Sequence, residues 1–439
     1  MIYFYTFLYI VGLIFYFPVF LFRVQWIKRE KLELKARLSL NLPPFGSSQP
    51  CLWLHAVSVG EVFSLQRLVG QLRQRHPSWR IVVTSLTPSG VRLAREKLGG
   101  MAEVAIIPLD LPWCLNRFWQ RLRPAVIGLV ESEFWPNLLS LARKKSLPVV
   151  LINGRISDKS FRRIKLLRTF FLRLFKPVVV FLMQSEKDRQ KLVEIGIKPE
   201  KISVIGNIKT DVTLPEWSEE EKILWRQRLG LVAEDKLITA GSTHPGEEAI
   251  FFKALAAIRP LSPNLRLIIA PRHPERAAEV ASLAASFSLH SVQWSSYRNR
   301  TEAVGTSPQK WQVLIIDTLG DLPFFYSLAD LTFVGGSLVA RGGHNLLEPA
   351  FYSKPILVGP YMDNFAALTE IFLQGRAALR IRNEAELIEA LSRISTPEFS
   401  EMGKRAKEIL QGLQGATKRT IEVLEGLIRA TEGEAEVEK

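Results

Sequence analysis

The strongest constraint in this chain is the rhythm of its apolar residues. From position 52 onward, runs of strand length alternate with longer segments whose apolar residues recur at helical spacing. The runs cover 52–57, 80–86, 104–109, 125–130, 149–152, 178–183 and 202–205. A strand that is apolar on both sides has to be covered on both sides, and a chain that returns through a helix lays the next strand parallel to the last. The expected fold is therefore α/β with a doubly wound parallel sheet. Several runs close on polar residues that would gather at one sheet edge: Thr84 and Ser85, Glu131 to Glu133, Asn153 to Arg155, Gln184 and Ser185, and Gly206 to Lys209. Open α/β sheets hold their ligands at that edge.

The rhythm breaks at 210–222, where Pro215, Trp217 and the acids Glu219 to Glu221 read as a linker leading into a helix. It resumes with runs at 237–240, 265–270, 313–316, 331–334, 356–358 and 378–381, followed by two or three helical patterns over 384–427 and a polar tail at 432–439. With 439 residues the chain exceeds what one core supports. Two Rossmann-like domains are expected, 28–210 and 211–439, the second keeping the C-terminal helices.

Residues 1–22 hold no charged side chain, are dense in Phe, Tyr, Leu and Ile, and lead into Arg23, Lys28, Arg29, Lys31, Lys35 and Arg37. Their length suits a bilayer, and the basic flank places the rest of the chain on the cytoplasmic side. The expectation is a single uncleaved anchor within 1–27; the competing reading is an apolar core helix of the first domain. The 58 basic residues outnumber the 43 acidic ones, a net charge of +15, so an anionic partner is expected. The apolar start directs that expectation to an anionic lipid surface or an acidic substrate rather than nucleic acid. Segment 161–176 adds Arg162, Arg163, Lys165, Arg168, Arg173 and Lys176, with no acid among them, to apolar residues at helical spacing. It reads as a basic amphipathic helix, lying on lipid or simply solvated. The two cysteines, Cys51 and Cys114, fit no metal pattern and suit a reducing compartment.

Two places carry candidate chemistry. In Trp53-Leu-His-Ala-Val-Ser-Val-Gly-Glu61 a buried strand turns through small residues into a helix, with Ser58 as cap and Glu61 in the first turn. A carboxylate there suits a general base at the sheet edge. The plainer reading, a helix-start acid that complements the dipole, prevails from this stretch alone. In the second domain three polar turns come after strands: Gly241-Ser-Thr-His-Pro-Gly246, Pro271-Arg-His-Pro274, and Gly335-Gly-Ser337 leading to Arg341-Gly-Gly-His-Asn-Leu-Leu-Glu-Pro349. Glycines let a ligand approach the backbone, a helix opening at Asn345 would aim N–H groups at phosphate, Arg272 offers a fork, and Glu348 could accept from ribose hydroxyls. Taken singly, Gly-Gly pairs can be plain turns, His273 and His344 structural, and Glu348 an ordinary helix residue. Taken together they point to a nucleotide. No Walker A pattern, no Gly-x-Gly-x-x-Gly after a strand and no Asp-x-Asp pair occurs, so a donor handled without a metal or cofactor is expected.

These residues carry a specific resemblance. His55-Ala-Val-Ser-Val-Gly-Glu61, Glu131-Ser-Glu-Phe-Trp-Pro-Asn137, Asn153-Gly-Arg-Ile-Ser157, Gly206-Asn-Ile-Lys-Thr-Asp211, Ala270-Pro-Arg-His273 and the Gly335 to Glu348 segment closely resemble the Kdo (3-deoxy-D-manno-octulosonic acid) transferase family of lipopolysaccharide synthesis. The resemblance implies a GT-B architecture, an acceptor-binding first domain and a donor-binding second one. It also implies CMP-Kdo as donor, the lipid A precursor lipid IVA as acceptor and inversion at the sugar; with the expected anchor and its basic flank, the enzyme would sit at the cytoplasmic face of the inner membrane. By the same resemblance Glu61 is the base, Glu131 and Lys209 stabilise the transition state, and CMP is held by Pro271 and Arg272, by Leu319, Gly320 and Asp321, and by Asn345, Leu346, Leu347 and Glu348. Leu346 departs from a frequent Pro and Asp321 from a common Glu. The role of Glu131 rests on the resemblance alone, because a second carboxylate near Glu61 raises one of the two pKa values. Two other readings stay open: a GT-B transferase using another nucleotide sugar on a lipid, and a non-catalytic protein that binds anionic lipid.

Overall fold

The computed structural model describes residues 2–26, 34–42, 50–132, 134–301 and 310–437. Met1, the basic residues Lys28, Arg29 and Lys31, Glu133 and the last two residues of the tail lie outside it. The chain divides into two compact units, Met1–Asp211 with Gln414–Lys439, and Val212–Leu413.

The first unit is built on β1 (Cys51–Ala56), β2 (Arg80–Ser85), β3 (Glu103–Ile106), β4 (Val126–Val130), β5 (Val149–Gly154), β6 (Val178–Met183) and β7 (Ile202–Val204). All pair in parallel, in the order β3-β2-β1-β4-β5-β6-β7. Every residue of β1, β2, β4 and β5 is buried, which is why they read as unbroken apolar runs rather than alternating ones. Alternate side chains still part to opposite faces: Cys51 and Trp53 join one core, while Leu52, Leu54 and Ala56 join the other.

The second unit repeats the design with β8 (Lys236–Thr243), β9 (Leu265–Pro271), β10 (Ser291–Gln293), β11 (Val313–Ile315), β12 (Leu331–Val334), β13 (Ile356–Val358) and β14 (Ala378–Arg380). Its order is β10-β11-β9-β8-β12-β13-β14, again parallel throughout. The short edge strand β10 is an addition to the expected set: it has three residues, all only partly buried, so no apolar run marks it. The acidic run Glu219 to Glu221 is the first turn of helix Glu219–Arg228, closed by a capping box between Ser218 and Glu221.

Three expectations are corrected. No helix among the described residues is long and apolar enough to cross a membrane, which overturns the single N-terminal anchor and the location drawn from it. The N-terminal helix Ile2–Trp26 instead docks on the first unit through polar contacts. Tyr5 Oη donates to Asp110 Oδ2 at 3.0 Å and Thr6 Oγ1 to Asn137 Oδ1 at 2.9 Å, groups that lie buried at the start of helix Pro136–Lys144. Tyr3, Phe4, Phe7, Ile14 and Phe15 of the same helix are exposed. Second, the last helix, Ala416–Val437, does not stay with the second domain. Ala416, Ile421, Leu424 and Ile428 are buried in the first unit's core beside Leu52, Leu54 and Val150. Its start is fixed by Asp211, whose carboxylate accepts the N–H groups of Gly415 and Thr417. Third, segment 161–176 is not one helix: it breaks at Leu167 into Asp158–Leu166 and Arg168–Leu174.

Candidate active site

Each sheet reverses direction once, between β1 and β4 in the first unit and between β8 and β12 in the second. At such a point the loops leaving two neighbouring strands part in opposite directions and leave a crevice at their carboxyl ends. The sequence-predicted site residues of the first unit fall there. Glu61 comes after β1, and Glu131 directly after β4.

Glu61 lies in the first turn of helix Val59–Arg75 and is 7% exposed. Ser58 caps that helix: its Oγ accepts the Glu61 N–H at 3.3 Å and donates to Glu61 Oε1 at 2.8 Å, while the Val57 N–H donates to Oε2 at 2.8 Å. The carboxylate therefore ties down the turn that enters the helix, in keeping with the plainer reading. Its environment also suits a base. Burial pushes its pKa above the ordinary carboxylate value, the Val57 N–H and the Ser58 hydroxyl pull it down, and Glu131 and Lys209 add smaller, opposed pushes.

Glu131 adopts a left-handed backbone, φ +60°, held by its N–H donating to the Ile152 carbonyl at 2.8 Å. That conformation costs a non-glycine residue about 1–3 kcal/mol and persists where the surroundings impose it. Lys209 comes from the 3-10 turn Ile208–Thr210 beyond β7. The turn is fixed by Asn153 at the end of β5, also left-handed at φ +57°, whose Oδ1 accepts the Ile208 N–H at 3.0 Å. The result is an ion pair, Lys209 Nζ to Glu131 Oε1 at 2.7 Å. This pairing supplies what the sequence lacked, since an ammonium beside Glu131 offsets its charge and lets a second carboxylate stand near Glu61. His55, within the same motif, is a core residue: it is fully buried, its Nδ1 is 3.0 Å from Thr84 Oγ1, and burial holds its pKa down to about 4.

In the second unit the reversal gathers the glycine-rich loops. After β12, Gly335 lies so close to the β8 loop that a Cβ there would stand 2.2 Å from the Ser242 carbonyl oxygen, and Gly336 takes φ +68°. Two adjacent buried acids in the first turn of helix Glu247–Ile258 tie these loops together. Glu247 accepts four backbone N–H groups: His244 at 2.9 Å and Gly336 at 2.7 Å on Oε2, Ser337 at 3.0 Å and Leu338 at 2.9 Å on Oε1. Glu248 accepts from Thr243 Oγ1 at 3.0 Å and from Arg276 Nη1 at 2.9 Å, which secures the loop carrying Arg272 and His273. Neither acid stands out in the sequence, where both read as ordinary first-turn carboxylates; their partners up to 91 residues away are invisible there.

The remaining predicted residues divide. Pro271 ends β9, and Arg272 comes next with an exposed side chain and its N–H bonded to the Thr243 carbonyl. Leu346 and Leu347 are core side chains, so only their backbone can face a ligand. The helix there, Leu347–Phe351, is five residues long, and Asn345 Oδ1 already accepts the Leu347 N–H at 3.1 Å. Asn345 Nδ2 also reaches Glu348 Oε1 at 3.3 Å, and burial raises the pKa of that acid. Leu319 is 83% exposed beside Gly320 at φ +91°, while Asp321 is held by Trp294 Nε1 and Thr318. Among the described residues no group of three His, Cys, Asp or Glu side chains is placed to hold a metal ion.

Two doubly wound parallel sheets in one chain, each with polar loops at its reversal point, define the GT-B fold class. The backbone is like that of MurG from Acinetobacter baumannii, with a TM-score of 0.54 at 13% identity over 86% of this chain and 99% of the other. Residues 31–212 match the family described as 3-Deoxy-D-manno-octulosonic-acid transferase (kdotransferase). The 3-deoxy-D-manno-octulosonic acid transferase of Chlamydophila psittaci is 34% identical over 84% of both chains. A Fusobacterium nucleatum protein named bifunctional glycosyltransferase/methyltransferase is 31% identical over 87% of this chain, which spans 58% of that longer protein. The chain belongs to the 3-deoxy-D-manno-octulosonic acid transferase family.

Proposed function

We propose that the protein transfers Kdo from CMP-Kdo to a lipid acceptor, lipid IVA, in lipopolysaccharide synthesis, with inversion at the sugar and without a metal. The observation that carries the chemistry is the meeting of Glu61 with the Glu131–Lys209 pair where the first sheet reverses. Glu61, buried and with a raised pKa, accepts the acceptor hydroxyl's proton as that oxygen attacks the sugar carbon from the side opposite the leaving phosphate. One displacement of that kind inverts the centre. Lys209, oriented by Glu131, supplies the cation that balances charge as it develops. In the second unit Pro271, Arg272, Leu319, Gly320, Asp321, Asn345, Leu346, Leu347 and Glu348 hold CMP, the exposed Arg272 meeting the phosphate and Glu348 the ribose. A donor with one phosphate and one sugar carboxylate needs only such cations, which supports the metal-free reading. The basic side chains of segment 161–176 meet anionic groups of the lipid.

Mass spectrometry of the product formed from lipid IVA and purified CMP-Kdo, with and without EDTA, tests this reading. Addition of the mass of Kdo in both conditions supports it; no addition, or addition only without EDTA, overturns the substrate or the metal assignment in turn. A thermal-shift comparison of CMP with UDP and UMP tests the donor separately, with CMP expected to raise the melting temperature most. Arg272→Ala and Glu348→Ala are expected to remove that shift.

A further inference from the structure

Two imidazoles stand over Gly336 and have no part in the site as assigned so far. His244 Nε2 lies 2.9 Å from His344 Nε2, and the rings are parallel within 3° with centroids 5.2 Å apart. They come from the loops after β8 and after β12. Gly336 makes room for both, since a Cβ there would meet His344 at 3.2 Å and His244 at 3.3 Å. A nitrogen-to-nitrogen contact of that length requires one ring to donate and the other to accept, so the pair already shares a proton and has space for one more, on the outer nitrogens.

The surroundings decide when that further proton arrives. The charged and titratable groups around the pair are Arg341 next to Gly342, Arg272 and His273 from the β9 loop, and Arg276, which Glu248 and Glu279 neutralise. Glu247 is spent on backbone N–H groups, including that of His244 itself. Burial comes first in keeping both rings neutral, with the neighbouring cations adding to it, and His344 is pushed down to about 4. A dianion seated among these cations would cancel their field and make the extra proton favourable.

We propose that the His244–His344 pair is a proton-accepting seat for the donor's phosphate, taking up a proton as the phosphate changes from a singly charged diester to the doubly charged monoester. This rests on the reading of CMP as the leaving group. Breaking the bond between sugar carbon and phosphate oxygen leaves the electron pair, and one more negative charge, on that oxygen. The pair answers by binding one solvent proton and becoming a shared imidazolium hydrogen-bonded to the phosphate. Binding then favours the departing phosphate over the ground-state diester, the direction that helps transfer.

Calorimetric titration of the full chain with CMP, in buffers of different ionisation heat between about pH 7 and 8.5, where free CMP is already a dianion, tests the pair. The expected result is proton uptake on binding CMP, of at most one proton and largest at the lower pH, and affinity that weakens as pH rises, by up to about tenfold per pH unit. Cytidine, which lacks the phosphate, should bind without proton uptake. His344→Gln and His244→Gln, checked for unchanged melting temperature, should bind CMP without it too. Wild-type binding with no proton uptake, or full uptake retained in both folded variants, overturns the pair's role and leaves the donor reading standing. Absence of CMP binding by the wild type overturns both. Should either variant fail to fold, the wild-type comparison of CMP with cytidine decides alone.

Discussion

Lys209 Nζ stands 2.7 Å from Glu131 Oε1, joining the end of β7 to the end of β4 across the two strands between them. Strands in a sheet lie about 4.8 Å apart, so the 3-10 turn bearing Lys209 has to fold back over the carboxyl edge to reach its partner. Asn153, on one of the intervening strands, holds the turn in that position.

Lys209→Ala should therefore cost rate rather than nucleotide affinity. Loss of one preorganised cation at a developing charge lowers kcat by something like 10²- to 10³-fold. Glu131→Gln, which keeps a hydrogen-bond acceptor for the ammonium, should cost less. Steady-state kinetics beside CMP titrations separate the two effects, and a loss of CMP affinity equal to the loss of rate would place Lys209 on the donor instead.

Glu61→Gln should reduce turnover by about 10²- to 10⁴-fold, as general-base loss does. A fall in melting temperature should accompany it, since the carboxylate's contacts at Ser58 and Val57 are each worth about 1–2 kcal/mol and the amide keeps only part of them. A base must be ionised to act, and burial raises the pKa of Glu61. The acid limb of kcat/KM in the wild type should accordingly lie above the ordinary carboxylate range. Near-wild-type turnover in the variant would leave Glu61 as a helix cap only.

Glu247→Gln tests the loop frame of the second unit. One amide oxygen cannot accept four N–H groups, and the new amide N–H₂ would face donors, so the loop at Gly336 to Leu338 should loosen. CMP affinity should fall although the residue is fully buried and its carboxylate is taken up by backbone N–H groups. Hydrogen exchange at those three amides should rise with it; unchanged exchange would show that the backbone holds itself.

Asp110 makes the pH test. Burial comes first in raising its pKa to about 6, against the Asn137 and Leu138 N–H groups and the Tyr5 hydroxyl that lower it. The folded form holds the proton more tightly than the unfolded chain. Its contribution to stability is therefore fully present below about pH 4 and lost as pH rises to about 6, by up to about 3 kcal/mol. Melting temperatures of the wild type and Asp110→Asn, which stays neutral, should diverge between those limits, the wild type gaining relative to the variant on the acid side. A constant difference would mean an ordinary carboxyl.

The sheets are legible in the sequence because parallel strands buried on both faces leave an unbroken apolar signature; β10 leaves none because its three residues are only partly buried. Glu61, Glu131 and Lys209 can all be found as polar residues just past strands, but the pairing of Lys209 with Glu131 cannot, since nothing local says that a turn past β7 folds over to β4. An apolar pattern does not tell what covers a segment. The apolar residues at the start of the chain suit a bilayer by composition, yet Tyr5 and Thr6 find their partners in the protein. The last helix likewise shows an apolar face in sequence but not which sheet receives it. Glu247 and Glu248 escape a sequence reading because their whole effect is exerted on loops distant along the chain.

That last helix has a consequence for how the molecule is made. Ile421, Leu424 and Ile428 fill a core whose strands begin at Cys51, so the domain that leaves the ribosome first is the one that is completed last. Until more than two hundred further residues have been synthesised, Leu52, Leu54 and Val150 lack part of their cover, and the nascent first domain presents an open apolar face. The second unit, Val212–Leu413, is contiguous and can close as soon as its own residues emerge. Assembly of this two-unit enzyme thus runs against its order of synthesis, and an interruption of translation between Leu413 and Ala416 leaves a finished second unit attached to an unfinished first one.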